Sequence, residues 1–277
     1  MPELAIETKG LTKKFDGEPA VDGLDLAIPE GSVFGLVGPN GAGKTTLIRM
    51  LMGIITPTSG TAAVLGSDIT TPSGELRRHI GYIADVQHMY PFFKVEEILG
   101  FCTRVYPTWD ANRCKTLLHT FELPEHKQVR ALSKGIKTQL ALIIALSVRP
   151  RLLILDEPTS GLDPVMKHHF MQLIMQEAAS GSTTIFFSTH NLNDVERLPD
   201  QVAAVMRGKL LFHRSMDELK AGTRERSRQS FPMAFPKKSA EFPKSSRWNP
   251  RGRYSPSSWV TALPKPLNGS MPSTRLM

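Results

Sequence analysis

The segment from Gly38 to Thr45 constrains the fold of this chain more than any other. It reads GPNGAGKT and therefore matches the pattern GxxxxGK[ST]. A nearly continuous apolar run, Val33 to Val37, precedes it, and an amphipathic stretch containing Leu47, Ile48 and Leu51 follows it. A strand, a glycine-rich turn and a helix in this order are the context in which the pattern forms a phosphate-binding loop. The sequence therefore predicts an α/β fold organised around such a loop.

The residue types of this segment predict how it would hold a nucleoside triphosphate. Glycines let the backbone form a concave nest whose N–H groups face phosphate oxygens, and the following helix adds its positive N-terminal end. Lys44 would supply a charge for the β- and γ-phosphates, and Thr45 a hydroxyl for Mg²⁺. The expected nucleotide contacts are Gly38, Pro39, Asn40, Gly41, Ala42, Gly43, Lys44, Thr45 and Thr46.

A second apolar run, Leu152 to Leu155, ends in two adjacent carboxylates, Asp156 and Glu157. Ligands of open α/β sheets bind beyond the carboxyl ends of the strands. We therefore expect Asp156 to hold Mg²⁺ through water, and Glu157 to orient or deprotonate an attacking water molecule. The pair predicts hydrolysis of the nucleotide as well as its binding.

The remaining patterns predict a mixed architecture. Alternation at Leu4 to Thr8 and at Leu24 to Ile28 indicates antiparallel strands with one face in water, whereas the apolar run Thr184 to Phe187 indicates a strand covered on both faces. Helical spacing over residues 94–122, broken at Tyr106-Pro107, indicates helices inserted between two halves of the core. We expect a P-loop NTPase core with a mixed sheet, an N-terminal antiparallel β subdomain and an inserted α-helical subdomain.

Further motifs follow in a characteristic order. Leu132-Ser133-Lys134-Gly135 precedes an apolar helix, and Ser160 to Asp163 and Ser188 to His190 follow the two carboxylates. Together with the P-loop, these motifs resemble the ATP-binding cassette of ABC transporters over residues 1 to about 220. A P-loop alone is shared with kinases, GTPases and motor proteins, whereas the Leu-Ser-x-Gly signature distinguishes this family. The resemblance implies ATP and Mg²⁺ as the cofactors.

The resemblance also implies roles for residues outside the P-loop. Ser133 and Gly135 would contact the γ-phosphate of ATP held by a second cassette, so two subunits would share each active site. Asp163 would lie in the loop crossing that interface, His190 would contact the γ-phosphate, and Phe15 would stack on adenine. Structural interpretations remain open: a core phenylalanine, a helix-capping turn around Asp163 and a buried structural histidine. The expected catalytic residues are Glu157, His190 and Lys44.

Three positions depart from the family pattern, the third being Ile136, which stands where the signature usually has a glutamine. Asp85 occupies the place of a glutamine that contacts Mg²⁺ in the family, and Lys134 replaces the second glycine of the signature. An acidic residue can still approach Mg²⁺ through water, so we expect activity to survive, and the departures leave the turnover rate open. The expected metal site comprises Thr45, Asp156 and Asp85.

A narrower resemblance, to bacterial antibiotic- or peptide-efflux cassettes, comes from Ile80 to Tyr82, Tyr90-Pro91, Val95 to Leu99 and Tyr106 to Asp110. It implies a peripheral ATPase subunit at the cytoplasmic face of the membrane, bound to membrane-spanning permease subunits and to a second cassette, identical or different. Two alternatives stay open: a soluble ABC ATPase acting on ribosomes or DNA, and a nucleotide sensor that scarcely hydrolyses ATP. The single cassette argues against the first alternative, and the presence of Glu157 against the second.

The formal net charge of +8 belongs to the end of the chain. Residues 1–222 contain 23 Lys and Arg against 24 Asp and Glu, whereas residues 223–277 contain 11 against 2. A basic patch on the folded domain is the mark of a nucleic-acid-binding protein, so no nucleic-acid partner is expected for this body. We expect an ABC ATPase domain at 1–222, with its core at about 1–85 and 151–222 and its helical subdomain at about 86–150.

The last 55 residues contain 10 Ser and 8 Pro and few large apolar residues. Such a composition cannot bury enough apolar surface to fold, and it predicts a disordered tail. Two other interpretations are a basic arm that binds anionic lipid or a partner, with Trp248 and Trp259 taking part, and a reading-frame change that replaced the native C-terminus.

The two cysteines and the apolar stretches limit the remaining possibilities. Cys102 and Cys114 lie in the predicted helical region without metal-ligand spacing, so we expect reduced, structural thiols. The longest apolar stretch, Leu140 to Val148, is too short to cross a bilayer. We therefore expect a cytosolic chain that reaches the membrane only through partner subunits.

Overall fold

A computed structural model describes residues 3–71, 74–191, 194, 199–219 and 221. The predicted tail, 223–277, lies outside these residues. The strands are β1 (Leu4–Phe15), β2 (Glu18–Pro29), β3 (Val33–Val37), β4 (Ser59–Val64), β5 (Ser67–Asp68), β6 (Ile80–Ile83), β7 (Leu152–Asp156), β8 (Thr184–Thr189), β9 (Gln201–Met206) and β10 (Lys209–Ser215). The helices include α1 (Lys44–Leu51), α2 (Gly74–Arg78), α3 (Val95–Val105), α4 (Ala111–Thr120), α5 (Lys134–Ser147) and α6 (Pro164–Ala179).

The strands form two sheets. The larger has the order β10-β9-β3-β8-β7-β6, in which every neighbouring pair is parallel except β10 with β9. The smaller sheet, in the order β2-β1-β4-β5, is antiparallel throughout. The predicted mixed sheet and N-terminal antiparallel sheet are therefore confirmed.

The apolar runs are central strands because both of their faces are buried. In β7, Leu152 and Ile154 face the core shared with the small sheet and α1, whereas Leu153 and Leu155 face the core shared with α3 to α6. In β8, Phe186 and Phe187 divide in the same way. Side chains alternate across a strand, so burial on both sides needs an apolar residue at every position.

The antiparallel strands β1 and β2 are longer than predicted, with 12 residues each. Their pairing contains several register shifts, including one between Thr8 and Leu11. Each such irregularity interrupts the alternation of buried and exposed side chains. The apolar pattern therefore revealed only the regular part of each strand.

The predicted helices are present on the face of the large sheet opposite to the small sheet and α1. The break at Tyr106-Pro107 separates α3 from α4, and α5 packs between these helices and β6. Cys102 and Cys114 are buried in this core.

Glu177 of α6 is buried and accepts from Arg113 of α4 and from Thr183 Oγ1 at 2.8 Å. None of the helices in the described ranges combines the length and apolar character needed to cross a membrane.

We expect both thiols to be unreactive in the native protein. Burial raises the pKa of Cys102 to about 11 and also raises that of Cys114, so at pH 8 the reactive thiolate of Cys102 is about one thousandth of the total. Titration with Ellman's reagent should detect the thiols only after guanidinium is added. Rapid reaction of the native protein would show that this helical core is open.

Candidate active site

The turn between β3 and α1 packs so closely that two of its glycines cannot carry a side chain. A Cβ added to Gly43, whose φ is 102°, would lie 2.2 Å from the Ala20 carbonyl oxygen. A Cβ added to Gly38 would lie 2.4 Å from the Val205 carbonyl oxygen. The loop therefore rests on the backbones of β2 and β9, and its glycines are required by close approach as well as by conformation.

Lys44 is buried at the start of α1, with 6% of its surface exposed. Its ammonium group donates to the carbonyl oxygens of Gly38 at 2.7 Å and Pro39 at 3.2 Å. It also lies 3.0 Å from Glu157 Oε1. A buried ammonium requires a compensating anion, which Glu157 supplies here. The phosphates of a nucleotide would offer the same compensation at the same loop.

Asp156 ends β7 and is almost fully buried, with 1% of its surface exposed. Its carboxylate accepts from Ser188 Oγ at 2.7 Å and from the Thr45 hydroxyl. Burial raises the pKa of Asp156, while the hydrogen bonds from Ser188 and Thr45 oppose that shift. The two predicted metal residues Thr45 and Asp156 are thus in contact.

This pair of residues fits Mg²⁺. Hydroxyl and carboxylate oxygens are the ligands that Mg²⁺ prefers, and protein sites commonly supply only one or two of them beside substrate phosphates. Among the described residues, no group of three or more His, Cys, Asp or Glu side chains is arranged to hold a metal by itself. Thr45 and Asp156 would supply the protein ligands of such a cation and nucleotide phosphates the others, and this site remains a prediction.

Glu157 and His190 form the next contact of the site. His190 Nδ1 lies 2.7 Å from Glu157 Oε2, and the His190 backbone N–H donates to the same oxygen at 3.3 Å. The other carboxylate oxygen, Oε1, is buried and makes no hydrogen bond of good geometry beside its ion pair with Lys44. The Lys44 ammonium is thus the partner of this oxygen among the described residues. The predicted catalytic residues Lys44, Glu157 and His190 are thus in direct contact.

The interpretation of His190 as a buried structural residue is wrong, because 48% of its side chain is exposed. The interpretation of Phe15 as a core residue is also wrong, because the ring is 49% exposed. Lys13 Nζ lies 5.3 Å from the centroid of the Phe15 ring. An exposed ring is available for stacking on a base, but adenine contact remains a prediction.

The signature residues lie beside the loop that precedes α6. Ser133 caps α5 by accepting from the Ile136 N–H at 3.3 Å, and it is exposed. A Cβ on Gly135 would lie 3.6 Å from Leu162. Asp163 caps α6 by accepting from two backbone N–H groups at 3.0 Å. The capping interpretation of Asp163 is confirmed, and its interface role remains a prediction.

Two of the three departures from the family pattern, Asp85 and Lys134, lie side by side. Lys134 Nζ is 3.8 Å from Asp85 Oδ1, and both side chains are about half exposed. The charge of Asp85 also contributes to the raised pKa of Asp156. Asp85 is thus near the metal pair but takes Lys134 as its ionic partner, and its contact with Mg²⁺ remains a prediction.

Ser188 is a site residue that sequence reasoning did not single out. Besides donating to Asp156, its hydroxyl accepts from the Glu157 N–H at 3.1 Å. It is paired directly with Asp156 in the parallel register of β7 and β8. The signal was present in the motif Ser188-Thr189-His190, but an isolated small hydroxyl at the end of a buried strand has no pattern of its own.

Known proteins of similar sequence belong to the family that this site geometry indicates. The sequence model of the family described as "ABC transporter" matches residues 21–160. The chain is 35% identical over 215 residues to the ABC transporter ATP-binding protein YtrB of Bacillus subtilis, covering 78% of this chain and 73% of YtrB. It is 37% identical over 222 residues to the bacitracin transport ATP-binding protein BcrA of Bacillus licheniformis, covering 79% of this chain and 72% of BcrA.

A solved structure of an ATP binding subunit of an ABC transporter has the same fold. It superposes with a TM-score of 0.72 and is 27% identical, covering 80% of this chain and 94% of the solved chain. The family match and the relatives point to the same family as the geometry of the site. In that geometry the P-loop, the strand-end carboxylates and His190 are in contact. The chain therefore belongs to the ABC transporter family, as an ATP-binding cassette.

Proposed function

We propose that this chain is the ATP-hydrolysing subunit of a bacterial exporter and works at the cytoplasmic face of the membrane. The observation that carries the proposal is the contact of Glu157 with both Lys44 and His190. This arrangement places a carboxylate at the phosphate-binding lysine, where a nucleotide would be attacked. Export is favoured by the relative BcrA, whose name assigns it to bacitracin transport.

In the proposed reaction, the phosphates of ATP replace Glu157 as the anionic partner of Lys44. The carboxylate then accepts a proton from a water molecule whose oxygen bonds to the γ-phosphorus, and the bond to the bridging oxygen of ADP breaks. His190 holds the carboxylate through its Nδ1 contact and its backbone N–H. Mg²⁺ held at Thr45 and Asp156 would neutralise charge on the phosphates.

The permease surface that we propose is an exposed aromatic patch after β6, made of Tyr90, Phe92 and Phe93. Tyr90 and Phe92 are 68% and 67% exposed. The rings of Tyr90 and Phe93 stack at 5.2 Å, and Arg130 lies 5.3 Å from the centroid of Phe92. Clustered exposed aromatic side chains are typical of protein contact surfaces.

The second partner that we propose is another cassette, identical or different. Ser133 and Gly135 lie at the N-terminus of α5, where the Ser133 hydroxyl accepts from the Ile136 N–H of its own helix. A helix N-terminus of this kind favours a phosphate group. A P-loop from a second subunit would supply that group, as the family resemblance implies.

Replacing Glu157 by Gln should abolish most ATP hydrolysis. The amide keeps the shape of the side chain but cannot accept the proton, and loss of a general base costs roughly 100- to 10,000-fold in rate. Phosphate release and ATP affinity should be measured on the same protein preparation. Affinity should be retained, because the P-loop is intact.

Glu125→Gln is the matched control, since Glu125 is exposed on the helical subdomain, and its rate should stay within about twofold of wild type. Unchanged turnover in Glu157→Gln would overturn the catalytic assignment. ATP binding without phosphate release by the wild-type protein, even with its membrane subunits, would instead identify a nucleotide sensor.

Replacing Tyr90 and Phe92 together by Ser should weaken binding to the permease. The change removes the most exposed apolar surface of the patch, so fewer membrane subunits should co-purify with the tagged chain from detergent-solubilised membranes. Leu211→Ser is the control, because Leu211 is 49% exposed on β10. Equal recovery of membrane subunits with the wild type, the double variant and Leu211→Ser would contradict the proposed permease surface. Recovery of ribosomes or DNA instead would favour a non-transport function.

The domain boundaries that we propose place the complete cassette within residues 1–222. Removing residues 223–277 takes away 11 basic and 2 acidic side chains and leaves a body of net charge −1. We expect the shortened chain to bind ATP with unchanged affinity, measured by calorimetry. Loss of binding would mean that the tail belongs to the fold. If the shortened chain keeps ATP binding but no longer binds vesicles of anionic lipid that the full chain binds, the tail is a lipid-binding arm.

A further inference from the structure

Asp194 is a buried carboxylate that the proposed reaction does not use. Only 5% of its surface is exposed. Lys167 Nζ lies 2.5 Å from its Oδ1. Its Oδ2 accepts from Thr159 Oγ1 at 3.0 Å and from Thr189 Oγ1 at 3.3 Å. One carboxylate therefore joins Thr159, which precedes α6, Lys167 within α6 and Thr189 at the end of β8.

The two threonines belong to the two segments that carry the catalytic side chains. Thr189 directly precedes His190, and Thr159 lies two residues after Glu157. The Thr189 hydroxyl also accepts from the Asn191 N–H at 3.0 Å. The backbone on both sides of His190 is thus tied to one hydroxyl, and that hydroxyl is tied to Asp194.

Lys167 connects the same carboxylate to α6. It lies in the first turns of the helix that Asp163 caps. Through Lys167 and Thr159, Asp194 therefore holds both ends of the loop from Glu157 to α6, whose backbone is strained at Glu157 itself, with a φ of 50°. A strained backbone persists only when its surroundings over-determine it.

We infer that Asp194 is a positioning residue for ATP hydrolysis. It keeps the Glu157 loop and the His190 segment at a constant separation, so that the 2.7 Å contact between the two side chains is preserved. The inference rests on the proposed function, because it concerns the rate of that reaction. Asp194 itself has no role in proton transfer.

The chemistry of the group explains why another residue would not serve. All three partners donate, and an ionised carboxylate has acceptors on both oxygens. Asn would turn an N–H₂ donor toward either Lys167 or the two hydroxyls, leaving a buried donor without an acceptor. The change is nearly isosteric, so it tests hydrogen bonding separately from volume.

Glu177 provides a matched control in α6, the helix that carries Lys167. It is also 5% exposed, and it also binds a cation and a threonine, Arg113 and Thr183. Its contacts lead to α4 and to the segment before β8, away from Glu157. Glu177→Gln should therefore destabilise the protein to a similar degree without slowing the chemistry.

The experiment compares Asp194→Asn, Glu177→Gln, His190→Ala and the double variant Asp194→Asn/His190→Ala in the full chain. Misplacement of catalytic groups costs up to about 100-fold in rate, so Asp194→Asn should lower kcat by roughly 10- to 100-fold, with KM for ATP changed less than about threefold. The double variant should be no slower than His190→Ala, since the two residues act through one contact. The inference would be overturned if the fold-decreases in kcat of the two single variants multiplied in the double variant. It would also be overturned if Glu177→Gln lowered kcat as much as Asp194→Asn does.

Hydrogen exchange gives a second measurement that does not depend on turnover. Asp194→Asn should accelerate amide exchange in residues 157–163 and 189–191 but not in 38–46, whereas Glu177→Gln should accelerate it near 177–183. Unchanged exchange at 157–163 and 189–191 would overturn the inference even in a protein that hydrolyses no ATP. An inactive wild type would refute only the proposed function. If Asp194→Asn does not fold, Thr159→Val removes one of its hydrogen bonds and should slow kcat in the same direction, and an unchanged kcat would again overturn the inference.

Discussion

The parallel pairing of β3, β8 and β7 is the constraint on which the rest of the molecule depends. Val37 is opposite Thr189, and Ser188 is opposite Asp156. Because parallel strands end at the same edge of a sheet, the P-loop, the two carboxylates and the His190 segment emerge together. The large sheet is packed on both faces, so these strand ends cannot shift independently. A one-residue change of register would reverse the faces of an entire strand and separate the site.

The same edge concentrates charges that would be unfavourable elsewhere. Lys44 and Asp156 are buried, and burial raises the pKa of Asp156. Glu157 has a left-handed backbone, which is costly for a residue with a Cβ. Lys44 and Glu157 form an ion pair, and Asp156 accepts hydrogen bonds from the Ser188 and Thr45 hydroxyls. In the proposed reaction a phosphate takes the place of Glu157 at Lys44, and this exchange prepares the carboxylate for catalysis.

Sequence patterns predicted the elements whose environment is uniform. The runs at Val33 to Val37 and Leu152 to Leu155 were identified as buried strands, because burial on both faces requires apolar residues throughout. The full length of β1 was not predicted, since register shifts after Thr8 interrupt its alternation. Exposure of Phe15 was likewise undecided, because an aromatic residue near a strand end is compatible with core or surface. The distances among Lys44, Glu157 and His190 required the tertiary structure.

The sequence by itself determined the fold class, the P-loop, the strand-end carboxylates and the family resemblance. All of these depend on residue types at short, regular spacing, where local geometry and residue chemistry suffice. Only the tertiary structure decided that Ser188 links Asp156 to Glu157, that Lys134 faces Asp85, and that Asp194 joins segments up to 35 residues away. Such contacts are made by single polar side chains brought together by sheet pairing and helix packing. Their partners are chosen by distance in space, which no spacing along the chain encodes.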